Sequence, residues 1–259
     1  MQLTHRANPG LNTILIMALI CMLSACSPGN QEGIKAGAAA PQLTDTPPAL
    51  LNILVIGGSA GIGLETVKLA LARGHTVTMM SRAPDKAGLE HPSLTLFPGS
   101  ILDASATNTA VQGQDAVVIS IGMGPTREPV SLFSEGARNV LAGMTANGVD
   151  RLLTVTGIGV AETRGHGSFF YDNILQPLAL NTIYEDKEKQ EVMVRASQLQ
   201  WTLLRPGFLT DDEPTGSYRV ITDITGVTVG DISRADTAHY IIAALEQQLH
   251  IEEAPILSE

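Results

Sequence analysis

The chain has 259 residues, 44% hydrophobic and 16% charged, which describes a globular protein with a core and excludes a disordered one. Its 16 Lys+Arg stand against 26 Asp+Glu, and no basic cluster is interleaved with aromatics, so it is not built to bind nucleic acid. The only cysteines, Cys21 and Cys26, lie near the N-terminus, and the 6 histidines show no metal-ligand spacing; disulfide, thiol and metal chemistry are not expected in the folded part.

His5 and Arg6 precede an apolar run from Ile14 to Leu23, and small residues follow, the layout of a secretory signal. The run is about half of the ~20 residues that a membrane-spanning helix needs, which favours a cleaved signal over a permanent anchor. Leu23-Ser24-Ala25-Cys26 resembles the lipobox of bacterial lipoproteins. That resemblance implies cleavage after residue 25 and lipid attachment to the Cys26 sulfur. The chain is then expected on the periplasmic side of a bacterial cell envelope, with Ser27 favouring the outer membrane. Residues 26–50 are rich in Gly, Ala, Pro and Thr without a hydrophobic period and read as a flexible tether. Residues 51–259 read as one domain.

The first predicted strand, Leu51 to Ile56, is an apolar branched run suited to a buried parallel strand. Gly57-Gly58-Ser59-Ala60-Gly61-Ile62-Gly63 follows, then a helical pattern from Leu64 to Arg73 that Gly74 stops. Strand, glycine turn and helix come in the order that aims helix N-terminal amides at a pyrophosphate. A second strand, His75 to Met80, ends in Ser81-Arg82. An acidic residue there would bind the ribose hydroxyls of NAD; a cation suits the 2′-phosphate of NADP, and an arginine also suits a solvated surface. Further strands are predicted over Leu94 to Phe97, Asp115 to Ile121 and Arg151 to Thr156, with a helix over Ser131 to Asn147. Ser233 reads as the N-cap of a closing helix, and Arg234 and Asp236 as capping or packing residues without catalytic chemistry. The alternation implies an α/β fold: a Rossmann-like, doubly wound parallel sheet with helices on both faces.

From Leu51 onward the chain resembles the atypical short-chain dehydrogenases of the NmrA-like, NAD(P)H-binding type. "SEGARNVLAGMTANGVDRLL", "DKEKQEVMVRASQLQWTLLRPGFLTD" and "TGSYRV" are similar to flavin reductases of the biliverdin-IXβ reductase kind. The resemblance implies pyrophosphate contacts at Gly57, Ser59, Ala60, Gly61, Ile62 and Gly63, and Arg82 at the adenosine ribose phosphate. It implies Ser100 and Ile101 beside adenine, Ile121 and Gly122 by the nicotinamide ribose, and Gly207 and Phe208 by the nicotinamide. This chain has Ala60 where the family often has glycine and Ser100 where it often has aspartate.

The short-chain dehydrogenase acid, Tyr in Tyr-x-x-x-Lys, is missing: Tyr184 is followed by Lys187 at three residues. Lys187 is either a site residue or a surface lysine paired with nearby Glu. Thr156 is either a catalytic hydroxyl at a strand end or an ordinary strand former. Phe169, Phe170, Tyr171 and Phe208 are either core or an aromatic substrate wall. Without a built-in acid, an acceptor that takes hydride and draws its proton from water, such as a flavin or quinone, fits better than a simple carbonyl. The expected function is therefore an NADPH-dependent reductase of such small acceptors. A non-catalytic NAD(P)-binding sensor and a lipoprotein that has lost its cofactor are the competing readings.

Overall fold

In the computed structural model of the protein, residues 37–166 and 180–259 are described. A strand covered on both faces must be apolar at consecutive positions, and β2 (Asn52–Ile56) meets that demand. Its Ile53 and Val55 enter one core layer with Val67, Leu71 and Ile241. Leu54 and Ile56 enter the opposite layer with Val140, Met144 and Leu203. Side-chain alternation along one buried strand thus feeds two cores.

Parallel to β2 run β3 (Thr76–Ser81), β4 (Leu94–Pro98), β5 (Ala116–Ile119), β6 (Arg151–Val155) and β7 (Gln200–Pro206). With β1 (Ala38–Ala39), β9 (Arg219–Ile221) and β11 (Ile256–Ser258), they form one sheet in the order β1-β9-β11-β7-β6-β5-β2-β3-β4. β11 is parallel to β7, whereas β9 runs antiparallel to β11 and β1 antiparallel to β9. On one face, helix α1 (Gly61–Ala72) packs on α5 (Arg234–Glu246). On the other, α2 (Ala104–Val111) packs on α3 (Leu132–Asn147), and α3 on α4 (Asn181–Arg195). A side sheet pairs β8 (Phe208–Thr210) with β10 (Asp231–Ser233). The architecture is the expected Rossmann-like, mostly parallel sheet, with antiparallel strands added at one edge.

Several boundaries differ from the sequence reading in ways that shape the site. The helix after the glycine turn starts at Gly61 rather than Leu64, so the last glycines are its first turn. The fourth parallel strand stops at Ile119, where its ladder to β2 and β6 ends, and Ser120 to Gly124 become loop. Helix α2 was not anticipated, although Asp103 caps it through Oδ1, accepting from the Ser105 and Ala106 amides at 2.9 and 3.0 Å. Part of the span read as tether is held on the domain: Ala38–Ala39 adds an edge strand. Ala40 is buried, and the Thr44 and Gln42 carbonyls accept from Arg73 and Gln247.

Among the described residues no helix is long and apolar enough to cross a membrane. The proposed signal, Cys26 and the Phe169-Phe170-Tyr171 cluster lie outside the described residues.

Candidate functional site

Strand order reverses between β2 and β5, and in open α/β sheets the crevice beyond the strand ends at such a point receives ligands. A cleft of about 1050 Å³ lies there, lined by Gly57, Ser59, Ala60, Gly61 and Ile62 of the glycine turn. The turn is held by backbone: the Gly57 amide donates to the Met80 carbonyl at 2.9 Å. Gly57 has φ +88°, and a Cβ there would lie 2.3 Å from the Ser120 carbonyl oxygen, so glycine is required twice over. Ala60 is the N-cap of α1, extended and without a side-chain cap, and the first turn of α1 has no acidic residue. The helix therefore presents unsatisfied amides and an unneutralised positive end to the cleft.

Gly63 is the exception among the turn residues expected to contact a cofactor. It does not line the cleft; its Cα faces the Gly57 carbonyl, which an added Cβ would approach to 2.3 Å. There it allows the close approach of helix to turn.

Every other expected cofactor residue lines the cleft: Arg82, Ser100, Ile101, Ile121, Gly122, Gly207 and Phe208. Arg82 follows the last residue of β3 and is exposed. Ser100 turns its Oγ to accept from the Leu102 amide at 3.3 Å. Ile101 is buried, and its side chain packs where a Cβ on Gly136 would stand. Gly207 leaves no room for a side chain, because a Cβ would lie 2.2 Å from the Gly230 carbonyl oxygen. Phe208 shares its apolar cluster with Leu180 and Tyr184, and all three border the cleft.

Thr156 and Lys187 also meet at the cleft. Thr156 lies just beyond β6, buried, and its hydroxyl donates to Glu191 Oε1 at 2.7 Å. Its carbonyl accepts from Lys187 Nζ. The Lys187 ammonium stands 5.1 Å from the Phe133 ring centroid and 5.9 Å from that of Tyr184. Burial pushes its pKa down to about 8, against an opposing pull from Glu191. Three residues apart on α4, Tyr184 and Lys187 reach the same cleft.

Behind Thr156 lies an ion network. Arg205, 1% exposed, donates to Glu191 at 3.0 and 2.5 Å and to Glu162 at 2.8 and 3.2 Å. Hydrogen bonding from Arg205 holds the Glu162 carboxyl down at about 2. The network fixes the Glu191 oxygen that orients the Thr156 hydroxyl.

The structure adds the lining residues Ser81, Lys86, Met123, Gly124 and Gly157, and it places Arg234, read from sequence as a capping or packing residue, in the lining too. Lys86 reaches the cleft because the turn Pro84–Ala87 folds the chain back after Arg82, a signal present in "SRAPDK". Arg234 carried no local signal, since only the packing of α5 on α1 brings it there. Among the described residues the lining has four cations, Arg82, Lys86, Lys187 and Arg234, and no carboxylate, in a chain of net charge −10. Ser81 Oγ in this wall is buried without a hydrogen-bond partner among the described residues. Free amides, four cations, an orphaned hydroxyl and a cleft long enough to run from Arg82 to Phe208 fit an elongated polyanion such as a dinucleotide.

A family model described as NAD(P)H-binding matches residues 57–248. A Bacillus subtilis protein named as the uncharacterized sugar epimerase YhfK is 26% identical over 207 residues, covering 76% of this chain and 89% of the relative. Among solved structures, ChuY, an anaerobillin reductase from Escherichia coli O157:H7, is 25% identical with TM-score 0.67, covering 80% of this chain and 97% of ChuY. A Burkholderia pseudomallei structure described as a candidate exported protein is 26% identical with TM-score 0.62, covering 81% of this chain and 100% of its own.

Proposed function

The chain belongs to the NAD(P)H-binding family, and on that premise we propose that it is an NADPH-dependent reductase of a flavin-like, quinone-like or similar small acceptor. The observation that carries this reading is the charge of the cleft: among the described residues, four cations and no carboxylate at a glycine turn, in an acidic protein. The nicotinamide would supply hydride when bound. The protein's own residues would then do the rest. The amides of Gly61 and Ile62 hold the pyrophosphate, and Arg82, with Lys86 beside it, favours a 2′-phosphate over a bare ribose. Gly207 and Phe208 border the reacting end. Lys187 keeps a proton there and offsets negative charge developing on the acceptor.

The acceptor class rests on the absent Tyr-x-x-x-Lys and on the Thr156 hydroxyl, whose proton is committed to Glu191. Among the described residues, the Thr156 hydroxyl is thereby withheld from the part of a carbonyl-protonating acid. ChuY, of similar fold and described as an anaerobillin reductase, supports the reductase part of the reading. That same committed hydroxyl favours the second reading, a non-catalytic NAD(P) sensor. The lipobox supports attachment at Cys26 on the periplasmic side, and a relative described as a candidate exported protein agrees with export.

The test is titration of the purified full chain with NADPH and NADH, followed by nicotinamide oxidation with flavins, quinones and simple aldehydes. The reductase reading expects turnover with the first two classes. Tight binding without oxidation by any acceptor makes the protein a sensor, and absence of binding rejects both.

A further inference from the structure

We infer that Arg234 is a pyrophosphate-binding residue of the cleft, held in place by Asp211 until cofactor enters. This rests on the cofactor reading above and adds to it a residue from a distant part of the chain.

Arg234 is the first residue of α5. A cation suits the C-terminal end of a helix and is electrostatically misplaced at the N-terminal end. The α5 terminus has its own provisions: Ser233 Oγ accepts from the Asp236 amide at 2.9 Å, and Asp236 supplies negative charge in the first turn. Arg234 contributes nothing to that cap. Its side chain instead runs past α1, where a Cβ on Gly61 would lie 3.8 Å from Arg234 Nε and 3.9 Å from its Cδ. The guanidinium therefore stands against the first turn of a helix whose amides open into the cleft and whose first turn lacks an acid.

What holds it there is weak. Arg234 donates to Asp211 Oδ1 at 2.7 Å, but the Asp211 side chain is 89% exposed. Exposed pairs of this kind contribute little. Asp211 also lies outside the cleft lining, so the pair keeps the guanidinium extended without filling the site. A planar guanidinium offers a second pair of N–H donors to phosphate oxygens, a stronger partner than an exposed carboxylate. Arg82 and Arg234 thus divide the ligand. Arg82, at the end of β3, addresses the adenosine ribose and discriminates between cofactors, whereas Arg234, against the turn, addresses the part that NADPH and NADH share.

Affinities of the full chain for NADPH and NADH, with Arg234→Ala, Arg234→Lys and Asp211→Asn, test this. Arg234→Ala should weaken both cofactors by the same factor, about 10- to 100-fold, as loss of a charge-assisted hydrogen bond requires. Arg234→Lys should recover part of the loss. Asp211→Asn should leave affinity undiminished or raise it, and that gain should shrink in the Arg234→Ala background. Unchanged affinities in folded Arg234→Ala, or a loss confined to NADPH, overturn the inference while leaving the cofactor reading intact. A wild-type chain that binds neither cofactor overturns both, before any variant is made.

Discussion

Gly63→Ala tests the packing on which the glycine turn depends. The added Cβ would stand 2.3 Å from the Gly57 oxygen, 2.9 Å from its carbonyl carbon and 3.1 Å from the Gly58 Cα, all backbone atoms of the turn. No side-chain rotation relieves such a clash, so α1 must withdraw by about 1 Å to restore van der Waals contact, a severe case of overpacking. Gly63 has no positive φ, so backbone strain plays no part. Overpacking costs roughly 1–3 kcal/mol, and this case belongs at the upper end. Alanine returns about 1 kcal/mol through helix propensity. The net loss is about 2 kcal/mol, or about 4–8 °C in Tm for a domain of this size. NADPH affinity should fall as well, because the withdrawn amides no longer meet the turn. Gly122→Ala is the control: among the described residues its Cβ meets no atom beyond its chain neighbours within 4 Å, so Tm should hold while a methyl in the cleft wall weakens NADPH. Thermal melts and NADPH titration of both variants decide it. A Gly63→Ala protein that melts at or above wild type with unchanged affinity would refute the reasoning.

Arg82→Ala should cost about 10- to 100-fold in NADPH affinity and leave NADH nearly unmoved, since the guanidinium–phosphate bond is worth roughly 1.5–3 kcal/mol; titration with both cofactors shows whether the loss is selective. Lys187 is protonated below its pKa of about 8, so acceptor reduction should decline as pH rises through 8. In Lys187→Met that limb should vanish, as a pH–rate profile would record. Arg205→Met leaves buried Glu191 without its main partner and should destabilise the fold by roughly 3–5 kcal/mol, read in thermal melts. Cys26→Ser should abolish lipid labelling and release the chain from the membrane fraction or leave it as precursor; unchanged labelling rejects the lipoprotein proposal.

The sheet was legible because burial on both faces writes itself into local sequence. Ile53 to Ile56 are apolar in succession since each residue has its own core to enter, and Gly57 is glycine since the Ser120 carbonyl leaves no space for a side chain. The glycine turn, Arg82 at its strand end and the Ser233 cap follow from rules spanning a few residues: the structure sets the first two at the cleft and has Ser233 cap its helix. Such rules also marked the Asp103 cap of α2, which the sequence reading overlooked. They could not tell Gly63, which packs, from Gly61, which faces the cleft, because both obey the same spacing.

The remainder depended on elements far apart in the chain. Sequence determined a parallel α/β sheet, a glycine turn for a nucleotide and a missing tyrosine acid, each a property of a local run or spacing. Tertiary structure decided that Arg234 stands against Gly61 across 173 positions, that Glu191 holds the Thr156 hydroxyl, and that Ala38–Ala39 joins the sheet edge. The physical reason is that such contacts arise when α5 packs on α1, when α4 closes over the end of β6, and when β9 offers a free edge. They have no period or motif of their own: a surface arginine and a site arginine are the same letter until packing decides what lies beside them.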